Sequence, residues 1–262
     1  MQSRTWLIQR ILRRRARGGG AIGVLALLCC LVAPPLGFSA DEQTPAQTVD
    51  KGSFGVFIGG KRVATETFSV EQGSFGSSVT SHFLTESGVE KAAQNSELQL
   101  GPNGDLRSYQ WTETSPGQAQ AWVLPNHEFL TERYSKSPQD KFQEQPFLLP
   151  TSISILDDYF LVQREVLAWR YLATSCREEK GQVSCPLKKA VPMGTLNAHS
   201  RVSMLVEVEY SGREKVSIRG DQRELIRLDL KTEGGDWTLW LNDQLKLERL
   251  LDLSSNTEVI RD

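Results

Sequence analysis

The chain has 262 residues, 39% hydrophobic and 24% charged, which excludes a disordered chain, a collagen-like polymer and a multi-span membrane protein and fits one or two globular domains. Six of its 30 basic residues are arginines within the first 40 positions, where no acid occurs, so the remainder carries about −8 rather than the formal −2 of the whole. A surface of that sign repels phosphate backbones, no basic stripe offsets it, and nucleic acid is therefore not expected as a partner.

Residues 1–40 follow the three-part plan of a secretory signal peptide. Arg4 to Arg17 form a basic region, Ala21 to Ala33 run without a polar side chain, and Pro34-Pro35 break any helix. Thirteen residues at about 1.5 Å each span roughly 20 Å, short of the roughly 30 Å hydrocarbon core, so a permanent membrane span is not expected. Cleavage after Ser39 or Ala40 would release the mature chain to the periplasm or the exterior. Cys29 and Cys30 lack the small preceding residue that lipidation needs. Arg13 to Arg15 lack the hydrophobic residues that follow a twin-arginine pair. Residues 41–50 are polar and aperiodic and read as a flexible lead, leaving 51–262 as a single domain.

Strand signals dominate that domain. Phe54, Val56 and Ile58 alternate, Gly59-Gly60 turns the chain, and Val63 to Val70 return it. Val79, Ser81 and Phe83 continue the pattern. Leu98 and Leu100 lead through G-P-N-G-D into Leu106, Tyr109 and Trp111, and Ala121 to Leu124 pair with Phe129 to Tyr134 across Pro125-Asn126. One segment departs from period two. Ile155 to Leu172 places Leu156, Tyr159, Phe160, Leu167 and Tyr171 at helical spacing opposite Asp157, Gln163, Arg164 and Arg170, which predicts an amphipathic helix capped by Ser154 and Asp157. Asp157 and Asp158 would then complement the dipole of its first turn. Cys176 and Cys185, separated by R-E-E-K-G-Q-V-S, read as a disulfide across a short loop in an oxidising compartment.

After this, Val202, Met204, Val206, Val208 and Tyr210 alternate with mostly polar residues. Turns at Ser211-Gly212, Gly220-Asp221, Gly234-Gly235 and Asn242-Asp243 predict a meander ending in a short strand at Glu258 to Arg261. About eleven strands spaced roughly 4.8 Å apart present more apolar face than one helix covers, so the sheet must curve or hold something. The expected fold is mainly β: a long antiparallel curved sheet, a half-barrel, with the helix as plug or lid. A two-sheet sandwich is the alternative.

The opening hairpin G-V-F-I-G-G-K-R-V-A-T-E-T-F-S-V and the stretch W-T-L-W-L-N-D-Q-L-K-L-E-R-L-L-D-L-S-S-N-T-E-V-I-R-D at 237–262 look like those of uncharacterised exported bacterial proteins, and the order of elements resembles the periplasmic lipoprotein-carrier superfamily (LolA/LolB-like). The resemblance implies a hydrophobic or lipid-like ligand inside the half-barrel. It carries over no catalytic motif.

Chemistry-bearing motifs are sparse. G-V-F-I-G-G-K at 55–61 lacks the Ser or Thr of a phosphate-binding loop, having Arg62 instead, and leads into a strand. His82, His127 and His199 lie far apart without metal-ligand spacing, so no metal or cofactor is expected. His82 reads as a strand-surface residue and His127 as a turn residue. No G-x-S-x-G elbow occurs, so a hydrolase would need a triad assembled from distant residues. The first expectation is a non-enzymatic envelope binding or carrier protein for an apolar ligand, lined by Tyr159, Phe160, Leu167, Met204, Val206, Val208, Trp237 and Leu239. Trp111, Trp122, Trp169, Trp237 and Trp240 are candidate cavity walls. The second is an interaction protein with a self-filled barrel that docks an envelope protein partner, and the third is the hydrolase.

Overall fold

Turn chemistry sets the run of hairpins in a computed structural model that describes residues 46–86, 91–179 and 182–262. The signal-peptide reading of residues 1–40 falls outside the described residues. Gly59 and Gly60, both at positive φ, join β1 (Gln47–Ile58) to β2 (Lys61–Gly73) with Ile58 opposite Lys61. The meander continues through β3 (Gly76–Thr85), β4 (Ala93–Leu100), β5 (Leu106–Ser115), β6 (Gln120–Asn126), β7 (Phe129–Ser135) and β8 (Gln143–Phe147). Strand β1 already includes Gln47 to Asp50, the last four residues of the expected lead, and Asp50 is buried.

A second meander follows the helix: β12 (Val191–Asn197), β13 (Val202–Ile218), β14 (Asp221–Thr232), β15 (Gly235–Leu241), β16 (Leu247–Asp252) and β17 (Thr257–Arg261). Strand β17 pairs with β1, Phe54 opposite Arg261, which joins the two meanders into one sheet. With β9 (Ser154–Ile155) added parallel to β12, the sheet has 15 strands running from β8 at one edge to β9 at the other. It is a long, curved, open antiparallel sheet that does not close into a barrel. The two sequence stretches that carry the family resemblance, the β1–β2 hairpin and β15–β17, lie side by side at its centre.

Three sequence expectations are corrected. The sheet holds more than eleven strands, because β8 is too polar and β9 too short to announce themselves, and β12 carries Pro192 and Gly194. Ser211-Gly212 is not a turn: β13 runs on for 17 residues, and the extra residue forms a bulge between Tyr210 and Gly212. The bulge bends the hairpin, and Val216, Ile218 and Leu225 pack with Trp240 and Ile260 in a small cluster apart from the main core. The helix is α1 (Val162–Ser175), not 155–172, since Ile155 pairs with Leu196 and the Leu156 N–H donates to the Leu196 carbonyl at 3.0 Å. Backbone groups committed to a strand cannot serve a helix.

Helix α1 lies in the concavity and is a plug rather than a lid. Contacts reach it from Glu66 on β2, Trp237 on β15, Leu247 on β16 and Arg261 on β17. It is also less amphipathic than its sequence suggests, for Gln163, Arg164 and Glu165 are buried beside Leu167, Ala168, Tyr171 and Leu172. Burying such groups is costly unless they are partnered, and each of these three has at least one partner. Gln163 Oε1 accepts the Asp157 N–H at 2.6 Å, and Arg164 Nη1 donates to the Asp157 carbonyl at 3.1 Å with its guanidinium 4.6 Å from the Trp237 ring. Glu165 Oε1 accepts the Leu247 N–H at 2.9 Å, with Arg261 alongside at 3.4 Å.

The Cys176–Cys185 disulfide is formed. It closes the small hairpin of β10 (Arg177–Glu179) and β11 (Gln182–Ser184), and Cys176 caps the last turn of α1 through its N–H to the Leu172 carbonyl. The helix end is thereby tied to the start of the second meander. Among the described residues no helix is long and apolar enough to cross a membrane.

Candidate functional site

The interior holds a cavity at one end and a polar cluster at the other. The register places the end of β2, the start of β3, the end of β4 and the start of β5 together, and α1 runs its C-terminal half towards them. Between these elements lies a cavity of about 380 Å³. Its walls are Val70, Val79 and Leu98 from the sheet, Ile155 from β9, and Val166 and Trp169 from the helix. Trp169 is anchored by its Nε1–H to the Leu245 carbonyl.

Space survives here because the surrounding turns are glycines: Gly73, Gly76, Gly101 and Gly104 all line it. Gly76 is obligatory, since φ is +136° and a Cβ there would stand 1.9 Å from the Leu100 carbonyl oxygen. Beside it, Phe75 at the tip of the β2–β3 turn is 61% exposed. Gln72, Ser77, Thr174 and Arg170 add polar atoms to the lining. A broader depression of about 730 Å³ crosses the other face of β2–β5, but Thr67, Ser69, Thr80, His82, Asn95 and Glu97 make much of its floor polar.

At the opposite end, Asn197 closes β12 by accepting the His199 and Ser200 N–H groups on its side-chain oxygen, which turns His199 inward. The His199 ring stacks on Trp111 with centroids 3.7 Å apart, its Nδ1 lies 2.5 Å from Asp157 Oδ1, and its Nε2 lies 2.5 Å from Gln94 Oε1. Asp157 Oδ2 accepts from the Tyr109 hydroxyl at 2.7 Å. Asp157 therefore serves this cluster from the loop ahead of α1 and not a helix first turn. The cap instead comes from Glu66, whose carboxylate accepts the Leu161 and Val162 N–H groups and the Ser81 hydroxyl. Burial pushes the Glu66 carboxyl up to about 7, against those hydrogen bonds. Glu132 on β7 is fully buried, and neither of its oxygens has a hydrogen-bond partner among the described residues. Burial pushes it up to about 8, opposed by Arg201 and reinforced by Asp157.

Of the eight residues singled out from sequence, none lines the cavity. Tyr159 and Phe160 sit at the polar end, with the Tyr159 ring 5.4 Å from Phe83 and 4.9 Å from His199. Leu167, Val206, Val208 and Leu239 are buried in the main core, and Met204 and Trp237 pack against it. Of the five candidate tryptophans, only Trp169 lines the cavity. His82 is exposed on its strand beside Asn95, and His127 occupies the β6–β7 turn at φ 56°. The Asp157–His199 pair was missed because 41 intervening residues carry no spacing signal. The glycines around the cavity were visible, but only as turns.

No family model matches this sequence, and no curated protein matches it. Among solved structures there is a resemblance. A crystal structure described as a β-barrel-like protein of a domain of unknown function, DUF1849, from Brucella abortus is 9% identical, with a TM-score of 0.51, covering 81% of this chain and 94% of that one. At that identity the likeness shows a shared barrel-like fold alone.

Proposed function

We propose that this chain is an exported binding or carrier protein for an apolar, lipid-like ligand, and that the cavity beside α1 is its ligand site. The observation that carries the reading is a space of about 380 Å³ enclosed mainly by aliphatic side chains in an interior that is otherwise packed. Its size falls within the range of small-molecule pockets. At about 30 Å³ per water-sized group it holds roughly a dozen such groups, which suits one medium-length hydrocarbon chain. Each buried methylene contributes about 0.8 kcal/mol before the costs of association. The disulfide supports a location outside the reducing cytoplasm.

The competing reading is a self-filled envelope protein that docks a partner. It is favoured by the packing of all eight expected lining residues into or against the core. Native mass spectrometry of protein purified from its own cell envelope, followed by organic extraction, separates the two. Near-stoichiometric lipid supports the binding reading, and a bare mass in protein that keeps its fold favours the interaction protein.

A further inference from the structure

The cavity lining contains a single charged side chain, Arg170 on α1, among residues that are otherwise apolar, glycine or neutral polar. Its Nη1 donates to the Gly104 carbonyl at 3.2 Å and the Ile153 carbonyl at 3.1 Å, which fixes the guanidinium at the rim. Its Nη2 stands 3.9 Å from Asp105 Oδ1, beyond hydrogen-bond reach, and Asp105 is the only carboxylate within 4 Å among the described residues. The side chain is 20% exposed, so the charge lies where apolar wall meets water. Gln72, Ser77 and Thr174 bring neutral polar side chains to the same lining. A guanidinium held rigidly by backbone carbonyls, with directed donors left over, favours planar anionic groups.

We propose that the ligand is a single-chain anionic amphiphile, its hydrocarbon tail in the cavity and its carboxylate or phosphate on Arg170. This rests on the cavity being a ligand site, and it adds the chemical class of the ligand. A tail in the apolar end and an anion at the rim satisfy both the empty apolar walls and the incompletely paired charge. A cationic amphiphile would place like charges together, and a neutral one would leave the guanidinium as it stands.

Calorimetry of the mature protein with dodecanoate, dodecyl phosphate, dodecanol and dodecyltrimethylammonium tests both levels. At least a tenfold preference for either anion over dodecanol is expected, which is the effect of one charge-assisted hydrogen bond. The tighter of the two anions distinguishes a carboxylate source from a phosphate source. Equal binding of dodecanol and the anions overturns the Arg170 assignment and leaves the cavity reading standing. Binding by none of the four overturns both. Arg170→Gln retains an amide donor for the Gly104 and Ile153 carbonyls, and should reduce the preference for either anion over dodecanol to within about threefold. An undiminished preference in a folded Arg170→Gln variant also overturns the assignment. The ligand series on the unaltered protein decides the matter if that variant does not fold.

Discussion

Where β12 turns into β13, Tyr109, Asp157, His199 and Gln94 follow one another in a chain of polar contacts, whereas at the other end of the interior glycines and aliphatic side chains line about 380 Å³ of open space. The start of α1 meets the first and its later turns line the second. Its N-terminus is pinned by Glu66 and its last turn is tied through Cys176, so the helix cannot slide to fill the gap. Polar contacts at one end thus hold open the space at the other. A directional hydrogen bond fixes position, while dispersion contacts tolerate many arrangements.

Removing Asp157 is the hardest test of this contrast. Asp157→Ala strips partners from Tyr109, His199 and the Asp158 N–H in a buried site, and a loss of about 3–5 kcal/mol in urea unfolding is expected. A loss below 1 kcal/mol would show that this end does not anchor the fold.

Acidity comes next. The folded-state carboxyls of Glu66 and Glu132 are raised above ordinary values near 4.5, to about 7 and about 8, so the native state binds more protons than the unfolded chain in between. Stability from these groups is full below pH 4.5 and is lost as pH rises towards 8, on the order of 3 kcal/mol for Glu66. Glu66→Gln, which keeps an acceptor for the helix N–H groups, should flatten that slope between pH 5 and 8. An unchanged slope in chemical denaturation would remove Glu66 as its source.

Reducing the disulfide, or replacing Cys176 and Cys185 with Ser together, should cost about 2–3 kcal/mol and lower Tm. The effect should fall on the cavity end, read as faster amide exchange in the last turn of α1 than at its start. The mildest change fills the gap. Ala173→Leu projects into the cavity on a helix position that tolerates Leu, so stability should move by less than about 1 kcal/mol while apolar ligand binding is abolished. Retained binding would place the ligand elsewhere.

Period-two alternation and turn residues made the hairpins around Gly59-Gly60 and G-P-N-G-D legible, and the cysteine pair announced its own bridge. Each of these signals is local, since a strand face and a tight turn are set by neighbouring residues. The start of the helix was not local in this sense. Ser154 and Asp157 have the spacing of a cap, yet Ile155 pairs with Leu196, and the cap comes from Glu66, 95 residues before Leu161. Gln163 and Arg164 look like part of a solvated face, and with Glu165 they are buried because their partners Asp157, Trp237, Leu247 and Arg261 come from other elements.

By itself, then, the sequence determined a mainly antiparallel chain, most of its hairpin turns, its disulfide and the need for the sheet to curve. Only the tertiary structure decided where the open space lies and which charge borders it. A cavity is a difference between the volume that strands enclose and the volume that side chains fill, and that difference has no local signature in the order of residues.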